Sequence, residues 1–143
     1  MEPLLELLIK IINDGKPPTK AHPNDAGFDC YANADVVVQP GECKPVPLGF
    51  AVKIPDGYFG QLCGRSGLAF KYGLMAHVGT IDSNYTGEVM GLLFNTDVCP
   101  YVIHRYDRVA QLIVQPVPRC EVVLVSDLPD TERNENGFGS TGI

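Results

Sequence analysis

The sequence predicts an all-β fold, and three observations carry that expectation. Apolar runs of strand length recur as far as about residue 125, turn chemistry separates them, and 12 prolines and 15 glycines are scattered throughout. Each interior proline costs about 3 kcal/mol in a helix, so the spacing leaves no room for long ones.

Taken in order, residues 3–12 admit two readings. Leu4, Leu7, Leu8, Ile11 and Ile12 could share one helical face, but LLIKII suits a strand equally, and a strand is expected. Further strands are expected at residues 36–38, 50–54, 89–94, 109–114 and 122–125, with turns at QPGE, IPDG and SNYTG. The segment after Arg65, SGLAFKYGL, places good helix formers between glycines and predicts one or two helical turns. VGTIDSNYTGEV, residues 78–89, has two β-prone arms around a polar turn and reads as a hairpin with Asp82 and Tyr85 near its tip. From about Pro129 the apolar pattern stops, and TERNENGFGSTGI reads as a mobile tail with one aromatic, Phe138.

Composition narrows the function classes. The 143 residues, 45% apolar, suit one compact domain over residues 1–128 followed by a tail at 129–143. No apolar stretch approaches the roughly 20 residues that a membrane helix needs, and an acidic residue follows Met1, so a soluble, unprocessed protein is expected. Cys30, Cys43, Cys63, Cys99 and Cys120 form no CxxC pair and total an odd number. They are expected to be reduced, mostly buried thiols in a cytoplasmic or nuclear setting. Net charge is −6 with no basic run, which argues against nucleic acid as a partner. His22, His77 and His104 match no metal-ligand spacing and read as structural or solvated, as do Asp25, Asp107 and Glu88.

Three stretches carry candidate chemistry. GRSGLA offers an arginine, a hydroxyl and pliant backbone at a strand-to-helix junction, which suits an anion, though a solvated turn accounts for it as well. An aspartate in a turn such as Asp82 often makes only an Asx-type hydrogen bond, and Tyr85 could simply pack. GFGSTG joins an aromatic to hydroxyls and glycines able to stack on a base and wrap phosphates, and it equally suits a linker.

Order and combination add what no single stretch supplies. AGFD, GRSGLA, GTIDSNYTGEV, RVAQLIV and RNENGFGSTG follow one another across residues 26–142. Together they resemble the five motifs of the trimeric dUTPase family. Two departures stand out: Gly64 occupies the place of a usual proline, and Asn134 and Asn136 replace glycines in the fifth motif.

The resemblance implies a jelly-roll-like β-barrel, a homotrimer with shared active sites, and hydrolysis of dUTP to dUMP and pyrophosphate. Such an enzyme limits uracil incorporation into DNA and supplies dUMP. By the same resemblance, Asp82 is the general base for water attacking the α-phosphorus. Tyr85 packs beneath the deoxyribose, and backbone groups of Gly79, Thr80, Ile81, Met90 and Gly91 read uracil. Arg65, Ser66, Gly67 and Gln111 face the phosphates, while Arg133, Gly139, Ser140 and Thr141 close on the γ end with Phe138 over the base. Arg108 would serve either the site or the subunit interface. Mg²⁺ would ride on the triphosphate, with Asp29 reaching it through water. A dCTP deaminase resembles this fold and motif order but needs a different residue set. A catalytically silent nucleotide-binding relative would keep the fold without the activity.

Overall fold

The computed structural model describes residues 3–139. Ten strands and one helix follow in chain order: β1 (Leu8–Ile11), β2 (Phe28–Tyr31), β3 (Val36–Val38), β4 (Cys43–Lys53), β5 (Tyr58–Cys63), α1 (Ser66–Tyr72), β6 (Leu74–Ala76), β7 (Gly79–Ile81), β8 (Glu88–Asn95), β9 (Tyr101–Ile103) and β10 (Arg108–Pro116). They form two four-stranded sheets, β1-β4-β8-β6 and β2-β10-β5-β7, and a β3-β9 ribbon. Every named pairing is antiparallel, in a jelly-roll-like barrel.

Alternation explains the layers. Along β8, Val89, Gly91, Leu93 and Asn95 are buried while Met90, Leu92 and Phe94 face outward. Phe50, Leu48 and Ile54 from β4 and its end meet Leu93, Ile103 and Leu112 in the core. Each such side chain contributes about 1.5–3 kcal/mol on leaving water. Asn95 is buried as well, and its amide is fully engaged. Nδ2 donates to the Val38 and Cys99 carbonyls at 2.9 and 2.8 Å, and Oδ1 accepts from the Asp97 N–H.

β4 contains Pro45 and Pro47, which a strand paired on both sides tolerates poorly because proline has no N–H. The register resolves the conflict. β1 pairs only with residues 50–53 of β4, whereas Pro45 and Pro47 lie opposite Leu92 and Met90 of β8. Between these halves the register shifts, with Gly49 at φ 75°. Gly15 packs against it so closely that a β-carbon there would lie 2.3 Å from the Gly49 carbonyl oxygen.

Several expectations are corrected. Residues 78–89 are not a β-hairpin, because β7 pairs with β5 in one sheet while β8 pairs with β4 and β6 in the other. The polar turn therefore crosses between sheets and holds its two arms apart. The strand expected at residues 122–125 is also absent. Val122, Val123, Leu124 and Val125 are 59–93% exposed and have no partner strand among the described residues. Strand propensity expresses fit to a neighbouring pleated surface, and this part of the chain has left the barrel after Pro116. Of the cysteines only Cys30 is buried; Cys63 is half-buried and Cys43, Cys99 and Cys120 are exposed.

Candidate active site

The separation of β7 from β8 creates the first cleft, of about 230 Å³. Leu62, Gly79, Thr80, Ile81, Tyr85, Glu88, Val89 and Met90 line it. β7 is the last strand of its sheet, so one of its backbone edges has no neighbour. β6 reaches only residues 93–95 of β8, which leaves the Glu88 to Met90 portion open on that side too. Open backbone edges are donors and acceptors awaiting a partner. Gly91 is buried beside Leu48 and does not line the cleft.

The crossing turn is held locally. Asp82 directly follows β7, its carbonyl accepts the Tyr85 N–H at 3.0 Å, and its carboxylate side is exposed. The Tyr85 hydroxyl donates to the Glu88 carbonyl at 2.9 Å. Gly87 makes that ring position possible, since a β-carbon there would lie 2.7 Å from the hydroxyl oxygen and 2.8 Å from Cζ.

A second, polar cleft of about 240 Å³ is lined by Asp25, Ala26, Gly27, Asp29, Arg65, Ser66, Gly67 and Gln111. Arg65 precedes α1 in an extended conformation (φ −102°, ψ 133°), and no side chain caps the helix start. Gly73 ends the helix at φ 65°, its N–H turned back to the Ala69 carbonyl. Asp29 holds the arginines: Arg65 Nε lies 3.6 Å from Oδ1 and Arg108 Nη1 4.0 Å from Oδ2. Arg65 Nη1 also donates to the Arg108 carbonyl at 3.4 Å, placing Arg108 beside the second cleft. Gln111, in mid-β10 and paired on both sides, donates from Nε2 to the Gly64 carbonyl at 3.0 Å.

Cys30, next to Asp29 in the chain, is fully buried. Burial, and then the adjacent Asp29 carboxylate, push its thiol up to about 12. Among the described residues no three His, Cys, Asp or Glu side chains gather as a metal cage.

The two clefts have no lining residue in common. A larger hollow of about 400 Å³ beside β1 and β4 is lined by Leu8, Ile9, Lys10, Ala51, Val52, Lys53 and Thr86, and offers no carboxylate. The tail is a third, separate piece. Arg133 Nε donates to the Asn136 carbonyl, while Asn134 and Thr131 exchange two bonds of 2.8 Å. Asn134 has φ 49°, a region that asparagine tolerates better than most residues, so its replacement of glycine keeps the turn and adds a side-chain acceptor. Phe138 and Gly139 are exposed, and Ser140 and Thr141 lie outside the described residues.

Sequence reasoning did not single out Gly27 or Leu62 as lining these clefts, nor Gly87 as the residue that seats the Tyr85 ring. AGFD was visible only as a motif and SNYTG only as a turn, and the close approach of their glycines to Gln111 and Tyr85 is a tertiary fact.

Fold and clefts together define a class: a jelly-roll-like barrel with open strand edges at one cleft and an arginine-bearing loop at another. The dUTPase family pattern matches residues 13–142, and the chain belongs to that family. It is 48% identical over 128 residues to the deoxyuridine 5'-triphosphate nucleotidohydrolase of Zymomonas mobilis, covering 88% of each chain. Among solved structures it resembles the dUTPase of Staphylococcus bacteriophage 80alpha with dUPNHPP, with TM-score 0.91, 29% identity, and coverage of 96% and 99%. It also resembles a variant dUTPase from phage phi11 of S. aureus whose description reports coordination of a structural Mg(II) ion. That match has TM-score 0.83, 26% identity, and coverage of 87% and 99%.

Proposed function

We propose that this protein hydrolyses dUTP to dUMP and pyrophosphate at sites that three copies of the chain complete together. The observation that carries the reading is the cleft between β7 and β8, where two open backbone edges meet beside Asp82 and Tyr85 in a dUTPase-family chain.

Uracil presents a donor at N3 between two carbonyl acceptors, a pattern that strand-edge N–H and C=O groups match as an adjoining strand would. Cytosine reverses the polarity at position 4 and leaves edge groups unpaired. Thymine's methyl collides with the narrow space between the arms. Tyr85 lies against the deoxyribose and excludes a 2′-hydroxyl. Gly79, Thr80, Ile81 and Met90 line the cleft and do the reading, with Gly91 next along the same strand.

Asp82 takes a proton from water as its oxygen bonds to the α-phosphorus and the bond to the bridging oxygen breaks, with pyrophosphate leaving. Arg65, Ser66 and Gly67, with Gln111 beside them, hold the α- and β-phosphates. Arg133, Gly139, Ser140, Thr141 and Phe138 close the far end, with residues 129–143 acting as a lid on the barrel.

Asp29 fits an outer-shell role toward Mg²⁺, since both carboxylate oxygens sit at long separations from their arginines and keep lone pairs for metal-bound water. Asp25 and Asp29 alone cannot supply magnesium's six oxygens, so triphosphate and water supply most of them. Bound there, the ion neutralises phosphate charge and orients the leaving group.

Two features support assembly. Neither cleft of one chain contains the other's residues, which suits a site whose crossing turn and phosphate loop come from different chains. The outer face of β8 and β6 exposes Met75, Met90, Leu92 and Phe94, 38–46% accessible, and residues 122–125 expose four more apolar side chains. Exposed apolar area of this kind marks an interface. Separate incubations with dUTP, dCTP, dTTP and UTP plus Mg²⁺, followed by product separation, test the reading. Rapid dUMP formation from dUTP alone is expected, with discrimination of roughly 10⁴-fold; ammonia from dCTP, or comparable UTP turnover, would overturn it.

A further inference from the structure

The phosphate loop begins at Gly64, where a proline would have stiffened the chain, and its stiffness must come from elsewhere. We propose that Gln111 is the positioning residue of this loop, seated by the gap that Gly27 leaves and fixing the loop through the Gly64 carbonyl. The inference deepens the proposed function and rests on it for the identity of the phosphates.

Three observations converge. β10 is paired on both sides at Gln111, with Asp29 and Cys63 as its neighbours, so the side chain projects from the most constrained kind of strand position. Its Nε2 donates to the Gly64 carbonyl at 3.0 Å, across 47 residues of chain. Its Oε1 lies 2.4 Å, and its Cβ 3.1 Å, from where a β-carbon on residue 27 would stand, so any larger residue must displace the amide. Motifs one, two and four are thereby locked by one side chain. Gly64 itself meets only the Ala76 methyl and backbone at 3.2 and 3.3 Å from a notional β-carbon, and its φ lies outside the positive range. The Gln111 bond is thus the side-chain restraint on the loop's first residue.

With one N–H committed to Gly64, the amide positions Arg65 to Gly67 whether or not its second N–H also meets phosphate. That differs from direct contact, because its loss changes the loop before any ligand arrives. The step is conformational and moves no electrons.

The test uses the full-length protein and the variants Gln111→Ala, Gln111→Glu, Gly27→Ala, and Gly27→Ala with Gln111→Ala. Hydrogen exchange of residues 69–73, where the Ala69 N–H is bonded to the Arg65 carbonyl and the Gly73 N–H to the Ala69 carbonyl, is followed in free protein, and inorganic pyrophosphate with Mg²⁺ is titrated calorimetrically. Each single variant is expected to speed exchange of that segment at least about fivefold, leave β10 protected, and weaken pyrophosphate about tenfold. In the Gln111→Ala background, Gly27→Ala is expected to add less than about twofold. Unchanged exchange of that segment in Gln111→Ala, or effects of Gly27→Ala that multiply undiminished, would overturn the proposal. Gln111→Ala imposes no clash, so its exchange decides even if Gly27→Ala fails to fold. Neither readout needs turnover: a coupled loop in a protein that leaves dUTP intact would sink the proposed function and keep this inference.

Discussion

Asp82, Tyr85 and Cys30 show how much a residue's neighbours decide. Asp82 sits at the end of a three-residue strand with its carboxylate exposed, free to meet a water on a phosphate brought from outside. Asp82→Asn keeps shape and removes the proposed base. Turnover is expected to fall about 10²- to 10⁴-fold while dUTP binding, measured calorimetrically, persists; near-normal kcat would place water activation elsewhere. Tyr85 depends on Gly87 for its place. In Gly87→Ala the ring must swing away, and kcat/KM for UTP relative to dUTP is expected to rise roughly tenfold, the effect of about one misplaced methyl group. An equal loss for both nucleotides would leave Tyr85 without a role in sugar selection. Cys30 titrates at about 12 when folded, above its unfolded value, so the folded state retains a proton that the unfolded chain releases first. Stability from this group is intact below about pH 9 and declines above it, by up to about 1.4 kcal/mol per pH unit. Urea midpoints of the parent and Cys30→Ala, compared between pH 8 and 10, are expected to show a shallower decline in the variant.

At the scale of elements, the tail carries the next expectation. No strand follows Pro116 among the described residues, so removing everything from Arg133 onward costs little core. Circular dichroism and oligomer size should be preserved, while kcat/KM for dUTP falls at least about 10²-fold, near 2.7 kcal/mol. Parent-rate hydrolysis by the truncated chain would remove the lid role. The same segment shows where sequence reading stops. Strands β3, β8 and β10 were legible because apolar runs of strand length lie within one stretch of chain, and α1 was legible from helix formers between glycines. Residues 122–125 have the same apolar character, but whether they form a strand depends on a partner surface that sequence does not display. The crossing of residues 78–89 between two sheets was hidden for a similar reason: two β-prone arms look alike whether they pair with each other or with β5 and β4. Candidate residues of the five motifs were legible through the family resemblance, yet the grip of Gly27 on Gln111 and of Gly87 on Tyr85 requires coordinates.

At the scale of the whole molecule, one chain presents three separated pieces: a base-sized cleft, an arginine-lined polar cleft and an exposed tail. The proposed assembly would join them, and outward Leu92 and Phe94 are apolar surface available for it. The most direct measurement mixes two dead chains, Asp82→Ala with its tail intact and a chain cut before Arg133 with Asp82 intact, unfolded and refolded together at equal amounts. If turn and tail of each site come from different subunits, about one site in four receives both working parts, half times half, and dUTP hydrolysis should recover to about that fraction of the parent. Each variant refolded alone should stay inactive. No recovery, in a preparation whose mixed trimers are demonstrated by mass, would contradict sites shared between subunits.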